Sequence, residues 1–217
     1  MEKEELVRQI IEISAKTAIS VIPIGGTLIT EIWNAVKDNA IQKRLNDFHN
    51  KVEEKLHTLE SSLEEVGTNE AFTTAMLWAT EIAIKTEQEK KREYLANAVY
   101  NSLKVGIDEN IQVIFMDMIS KYSVWHIQIL EYFRDPKKKV TNKYDDSMGT
   151  PIMCLLEAYP ELRPNASLVN KIISDLYADG LLSTANMNTV MTAQGKLSSR
   201  TTDLGNQFID YLTIKTI

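Results

Sequence analysis

The histidines are the first residues whose spacing suggests chemistry, in the form of a metal site. His49, Glu53 and His57 follow one another at intervals of four residues, so on a helix they share one face. Imidazole and carboxylate groups placed in this way are ligands for zinc or another divalent metal. Phe48 and Leu56 adjoin the two histidines, however, and polar residues commonly border an apolar helix stripe. We therefore predict structural histidines and no bound metal.

The third histidine and the only cysteine do not indicate a catalytic nucleophile. His126 follows Trp125, and no serine or cysteine lies near it in a nucleophile elbow. Cys154 lies within the apolar run from Ile152 to Leu156, where burial makes a thiol inert. We expect both side chains to have structural roles.

Phosphate-binding loops are also missing from the sequence. The pair Gly25-Gly26 does not extend into a G-x-G-x-x-G pattern, and Gly-Lys-Ser and Gly-Lys-Thr do not occur. Carboxylates on amphipathic helices mostly form solvated faces, so no acid/base pair is nominated. The sequence therefore predicts a protein that is not an enzyme and needs no cofactor.

Composition and charge narrow the class of protein. A single cysteine excludes an intrachain disulfide, and the opening Met-Glu-Lys-Glu-Glu lacks the positive start of a secretory signal. We therefore expect a cytoplasmic protein. Residues 1–122 contain 14 Lys and Arg against 20 Asp and Glu, whereas residues 123–217 contain 10 of each. A surface that binds a polyanion is therefore expected in the second half.

An uncharged segment near the N-terminus suggests a helical hairpin. An amphipathic helix ends near Pro23, and no charge occurs between Thr17 and Thr30. These 14 residues are too few to cross a hydrocarbon core of about 30 Å as a helix. We expect a buried hairpin that turns at Gly25 and Gly26. The alternative is a hairpin that inserts into a membrane when it is exposed.

The rest of the first half predicts a helical bundle. Apolar residues at three-and-four spacing predict a helix from Ile41 to Val66 and a buried one from Glu70 to Thr86. Thr86 and Glu89 have the spacing of a capping box for a helix that runs through Leu103, and a further helix extends from Asp108 to Met118. A seam for homo-oligomers would give a similar stripe.

The second half predicts three helices, a β-hairpin and a closing helix. Ser123 caps the first helix, the second runs from Ile152 to Ala158, and Asn165 caps the third. In the third helix we expect four inward side chains, namely Leu168, Ile172, Ile173 and Leu176. Short strands follow at 181–184 and 189–192, and the final helix covers 201–212.

This order of elements is that of a winged helix-turn-helix. The predicted fold is therefore mainly α, with an N-terminal helical body at 1–122 and a winged-helix module with a short β-hairpin at 123–217.

Two resemblances extend this interpretation. The segments Leu176–Leu182 and Thr201–Phe208 resemble the end of bacterial winged-helix domains, where a "G-L-L" strand precedes a "T-x-x-G-x-x-F" helix. The Pro-Gly hairpin, the helix around Tyr94 and the "L-G-x-x-F" ending look like helical bacterial proteins near the abortive-infection alpha family. That second resemblance implies antiviral defence through membrane contact and transfers no functional residue.

The residues expected to contact DNA or a protein partner lie on the predicted winged helix. They comprise the exposed polar positions of its third helix, a lysine run and two cations near the wing: Asn165, Ser167, Asn170, Lys171, Lys137, Lys138, Lys139, Lys196 and Arg200. Lysine and arginine contact phosphates, whereas Asp175 and Asp179 oppose a polyanion. The sequence leaves DNA and protein as alternatives. Membrane contact through Pro23, Gly25 and Gly26 is the less favoured one.

Overall fold

A computed structural model describes residues 27–57, 66, 69–103, 107–139 and 147–214, with side chains from residue 39 onward. The hairpin predicted at Pro23, Gly25 and Gly26 lies outside the described residues. Within the described ranges the chain is mainly helical, as the sequence predicts.

Nine α-helices and two short 3₁₀ segments make up the regular structure of the described ranges. The helices are α1 Thr27–Leu56, α2 Glu70–Lys85, α3 Glu89–Asn101, α4 Glu109–Lys121, α5 Val124–Arg134, α6 Pro151–Ala158, α7 Ala166–Ala178, α8 Ala193–Lys196 and α9 Asp203–Leu212. The 3₁₀ segments are Pro136–Lys138 and Pro160–Asn165.

The chain divides into two compact units. The first unit consists of the chain up to Lys121 together with the residues from Tyr211 onward. The second unit runs from Tyr122 to Asp210. Each unit has its own set of buried apolar side chains.

In the first unit α1, α2 and α3 pack on one another, and α4 packs on α2. The stripe predicted along α1 is buried at Leu45, Phe48, Val52 and Leu56. The helix begins at Thr27 rather than near Ile41, because no proline or glycine interrupts the chain between these positions.

The capping box predicted at Thr86 and Glu89 is not formed. Thr86 has an extended backbone that ends α2, and its hydroxyl accepts a hydrogen bond from the Gln88 amide at 3.2 Å. Gln88 is the N-cap of α3 and makes no side-chain capping bond. The prediction was wrong because α3 begins at Glu89, so this carboxylate stands at the first helical position and not at the third that a capping box requires.

Polar groups join the elements of the first unit. The guanidinium of Arg92 on α3 pairs with the Asp47 carboxylate on α1 and donates to the Thr86 carbonyl at 3.1 Å. The amide nitrogen of Asn97 donates to the Leu212 carbonyl at 2.7 Å, and that of Asn101 donates to the Tyr211 carbonyl at 2.8 Å. These asparagines satisfy carbonyls at the end of α9 that have no helical donor.

The core of the second unit lies where α5 packs against α7. The inner face of α7 is formed by Val169, Ile172, Ile173 and Leu176, each at most 2% exposed. Leu168, which was predicted to point inward, is 44% exposed. Val169 takes the inner position because it completes the three-and-four stripe with the other three residues.

The strand pairing predicted between 181–184 and 189–192 does not occur. Residues 181–183 pair instead with 200–202, since the Ser183 amide donates to the Arg200 carbonyl at 2.8 Å and the Thr202 amide donates to the Leu181 carbonyl at 3.0 Å. Met191 forms an antiparallel bridge with Gly149. The segment between the paired residues contains α8 and is therefore not a simple hairpin.

A close backbone approach explains the glycine at the start of α9. A Cβ atom at Gly205 would lie 2.3 Å from the Leu181 carbonyl oxygen. We expect Gly205→Ala to lower the free energy of unfolding by about 1–3 kcal/mol, as other overpacking changes do. Urea unfolding measures this, with Gly149→Ala as control because its nearest neighbour would be a flexible lysine carbon at 3.5 Å. Equal stability of the two variants would contradict the close approach.

Candidate partner-binding face

The exposed side of α7 carries most of the polar residues that the sequence nominates. Asn165 at its N-cap and Ser167, Asn170 and Lys171 within it are all exposed. Asn170 lies three residues after Ser167, and Lys171 lies four residues after it, so these three residues share one side of the helix. We call the exposed residues of this side the α7 face.

Two large apolar side chains are exposed at the opposite borders of this side, and we include them in the α7 face. Leu168 is 44% exposed and Tyr177 is 50% exposed. The sequence analysis assigned Leu168 to the core and did not single out Tyr177. Their neighbours Val169 and Leu176 are buried and belong to the inner stripe of α7. A helical period fitted to Val169 and Leu176 would have placed Leu168 and Tyr177 outside the core.

Lys171, the lysine of α7, is neutralised by a carboxylate on its own helix. Its ammonium donates to Asp175 Oδ2 at 2.7 Å, and the Lys171 hydrogen bond lowers the pKa of Asp175 below its usual value against the opposing effect of burial. The pair leaves the α7 face with little net charge.

The three-lysine run lies in the 3₁₀ segment that follows α5 and the residue after it. Lys137, Lys138 and Lys139 are exposed. Lys138 lies 3.5 Å from the Asp135 carboxylate. Lys139 donates to the Tyr159 hydroxyl at 2.7 Å, and its ammonium lies 4.6 Å from the centroid of that ring. Two of the three ammonium groups therefore have partners within the second unit.

Lys196 and Arg200 differ from the expectation of exposed phosphate contacts, because both are buried. Lys196 is 2% exposed and donates to the Ser147 carbonyl at 2.7 Å. Arg200 is 4% exposed and donates to the carbonyls of Gly195 at 2.7 Å and Ser198 at 2.6 Å. These side chains hold their own loop together, and their bonds to backbone oxygens explain why burial is tolerated.

A hydrogen-bonded cluster holds the α7 face against the start of α5. The backbone amide of Ser123 donates to Nδ1 of His126 at 3.2 Å, so a neutral ring carries its proton on Nε2. That nitrogen lies 3.4 Å from Asp175 Oδ2. The hydroxyl of Tyr122 donates to Asp179 at the end of α7, while its ring stacks on His126 at 4.8 Å between centroids. Burial, followed by Asp179, raises the pKa of Tyr122.

His49, His57 and Cys154 are the other residues whose types suggested chemistry. His49 is half-buried, whereas the His57 side chain is 53% exposed and lies 3.7 Å from Glu53. Cys154 is buried, and burial raises the pKa of its thiol. Within the described ranges no cluster of three or more histidine, cysteine or carboxylate side chains is suited to a metal ion. Those same ranges contain no helix whose length and apolar character would let it cross a membrane.

The His126 cluster predicts a graded loss of stability. We expect His126→Ala to lower the free energy of unfolding by about 2 kcal/mol, because it removes both a helix cap and a ring stack. His126→Gln keeps an acceptor at the third helical position and should lose about half as much. Urea unfolding followed by circular dichroism compares them. If both variants matched the wild type, the cluster would not support α7.

His49 predicts an acid-sensitive stability. Burial lowers the pKa of His49 from its ordinary 6.5 to about 4, and its buried Nε2 has no hydrogen-bond partner among the described residues. Between these pH values the unfolded chain binds a proton that the folded chain does not, so stability falls as pH falls through this window. Chemical unfolding from pH 7 to pH 4 measures the slope. We expect His49→Met to flatten it and the exposed control His57→Met to leave it unchanged; a wild-type slope in His49→Met refutes the assignment.

No family model, curated protein or solved structure matches this chain. The interpretation of the α7 face therefore depends on its own side chains, which are neutral polar groups between two exposed apolar residues.

Proposed function

We propose that residues 122–210 are a winged-helix-like module that binds another protein through the α7 face. The observation that carries this proposal is the combination of exposed Leu168 and Tyr177 with a lysine that is paired to Asp175. Such a face offers apolar area and neutral hydrogen-bonding groups, and little free positive charge.

The order of the elements supports a relationship to winged helices. Helices α5, α6 and α7 are followed by the paired segments 181–183 and 200–202 and then by α9. In a winged helix-turn-helix the third helix is the one that reads the ligand. The module departs from that fold in the long segment between the paired residues, which contains α8.

DNA is the less favoured ligand for electrostatic reasons. Binding to duplex DNA depends on lysine and arginine side chains that neutralise phosphates and release counterions. Lys196 and Arg200 are buried, Lys171 is paired, and the whole chain has a formal net charge of −6. Lys137 and Lys138 are then the main exposed cations among those that the sequence nominated.

A protein partner fits the composition of the α7 face. Tyrosine is enriched at the centre of protein interfaces, where a few apolar or aromatic anchors dominate the binding energy. Tyr177 and Leu168 provide two such anchors at the borders of the face, and Ser167, Asn170 and Ser174 are exposed polar residues between them. The expected partner presents an apolar pocket to these anchors. Antiviral defence at membranes through Pro23, Gly25 and Gly26 remains a prediction of the sequence, since that hairpin lies outside the described residues.

Replacing an anchor tests the protein-binding proposal. We expect Leu168→Asp to weaken binding at least tenfold, about 1.4 kcal/mol, to a protein that co-purifies with the wild-type chain from its native cells. The matched control is Ile114→Asp on α4, because Ile114 is a similarly exposed aliphatic side chain at 46%. Calorimetry of the purified pair measures both. Loss of binding in the control, or retention in Leu168→Asp, would contradict the assigned face.

A titration with duplex DNA separates the competing ligand. Fluorescence anisotropy with random duplex at low and moderate salt should give no salt-dependent binding by the wild-type chain. Salt-dependent binding that is lost on replacing Lys137, Lys138 and Lys139 together with glutamine would instead support DNA recognition and overturn the proposal.

A further inference from the structure

A small cleft of about 160 Å³ lies between α2 and α4 in the first unit. Its volume is below the roughly 300 Å³ at which protein clefts begin to hold drug-sized molecules, so it suits a compact ligand. No motif in the sequence indicates this cleft. The described residues that bear on its chemistry are two carboxylates, one amide and three apolar side chains, namely Glu70, Glu109, Gln112, Trp78, Val113 and Met116.

The two carboxylates give the cleft a negative potential. Glu70 lies in the first turn of α2 and Glu109 in the first turn of α4, and both are exposed. Among the described residues neither carboxylate has an ion-pair partner, and no lysine or arginine belongs to the described lining of the cleft. A cation that enters is therefore attracted by both carboxylates and displaces no existing ion pair.

The amides at the two helix starts do not cancel this potential. The first amides of a helix carry partial positive charge, but here they already have acceptors. In α2 the Phe72 amide donates to the Asn69 side chain at 2.9 Å, and in α4 the Asn110 amide donates to the Asp108 carboxylate at 2.9 Å. Asp108 also adds a carboxylate next to Glu109. The side chains at the two helix starts therefore favour a cation.

Gln112 is a buried polar residue whose side-chain amide has no hydrogen-bond partner among the described residues. It is 8% exposed and lines the cleft from α4. Its backbone amide donates to the Asp108 carbonyl at 3.0 Å, whereas its side chain bonds to none of the described groups. Burying an amide without a partner is unfavourable. A ligand that donates to the side-chain oxygen removes this cost, and this observation is independent of the carboxylates.

Apolar side chains form the walls of the cleft. Trp78 on α2 is 37% exposed, Val113 on α4 is 42% exposed and Met116 is 2% exposed, and all three line the cleft. The face of an indole ring attracts cations more strongly than other aromatic side chains do. Aliphatic side chains favour contact with a hydrocarbon group because both are then removed from water. The walls therefore suit a ligand that is both cationic and partly apolar.

We propose that this cleft binds a small organic ammonium ion with a compact hydrocarbon group. The N–H groups of the ligand donate to Glu70, Glu109 and the side-chain oxygen of Gln112. Its hydrocarbon group packs on Trp78 and Val113. This assigns a ligand site to the first unit and does not depend on a protein partner for the second.

Titration of the full chain with cyclohexylammonium and with neutral cyclohexanol, followed by NMR at low salt, tests this site. The indole N–H signal of Trp78, assigned with Trp78→Phe, reports binding. We expect the cation to bind at least fivefold more tightly than the alcohol, because only the cation is attracted by the carboxylates. The anion cyclohexanecarboxylate has a similar shape and should leave the signal unchanged.

A matched pair of double variants separates the charge of the cleft from the charge of the whole chain. Glu70→Gln combined with Glu109→Gln removes the carboxylates of the cleft and should abolish the preference for the cation. Glu81→Gln combined with Asp117→Asn removes one exposed carboxylate from each of the same two helices, but neither residue lines this cleft. The control should therefore keep the preference. Gln112→Leu should weaken cation binding at least threefold, because the ammonium loses an acceptor.

Several results would overturn the proposal. They are equal binding of the cation and the alcohol by the wild type, absence of binding by both, and binding of the carboxylate as tightly as the cation. A preference that survives in the Glu70 and Glu109 variant, or that is lost equally in both double variants, would also exclude a local site. Unchanged cation affinity in Gln112→Leu would do the same. If Gln112→Leu does not fold, the double variants decide, because all four of their positions are exposed.

Discussion

The guanidinium of Arg200 lies within the second unit, 4% exposed, where it donates to the carbonyls of Gly195 and Ser198 and contacts the sulfur of Met191. Removing such an ion from water costs several kcal/mol unless polar groups surround it. The chain between the paired segments must therefore fold back to present its carbonyls. The backbone of Arg200 is itself fixed, since its amide donates to Phe133 and its carbonyl accepts from Ser183.

This buried cation also determines what the module exposes. Arg200 and Lys196 are buried, and their charged groups bond to backbone carbonyls inside the module. The positive charge that the sequence predicts near the wing is therefore not exposed at these two residues. The α7 face is then dominated by Leu168, Tyr177 and neutral polar groups. The burial of these two cations is therefore the electrostatic reason for proposing a protein ligand.

Periodicity was a reliable guide to the helices, whereas local polar signals were less so. The spacing of apolar residues predicted α2 and α5 closely, because burial of one face controls helix formation. Thr86 has a side chain suited to an N-cap, but in the structure it is the C-cap of α2. The predicted pairing of 181–184 with 189–192 was wrong because each segment has another partner: Met191 forms a bridge with Gly149, and Leu182 forms one with Thr201. The burial of Lys196 could not be read from its neighbours, since the Ser147 carbonyl that binds it is 49 residues away.

Buried cations occur in both units, and the groups that hold them differ. Arg92 is held by the Asp47 carboxylate, and Arg200 is enclosed by backbone carbonyls. The groups that bond to these two cations also join elements of the fold. Lys91 donates to the Ser120 carbonyl. Each of these buried cations therefore joins separate parts of the fold, since Lys91 lies on α3 and Ser120 on α4.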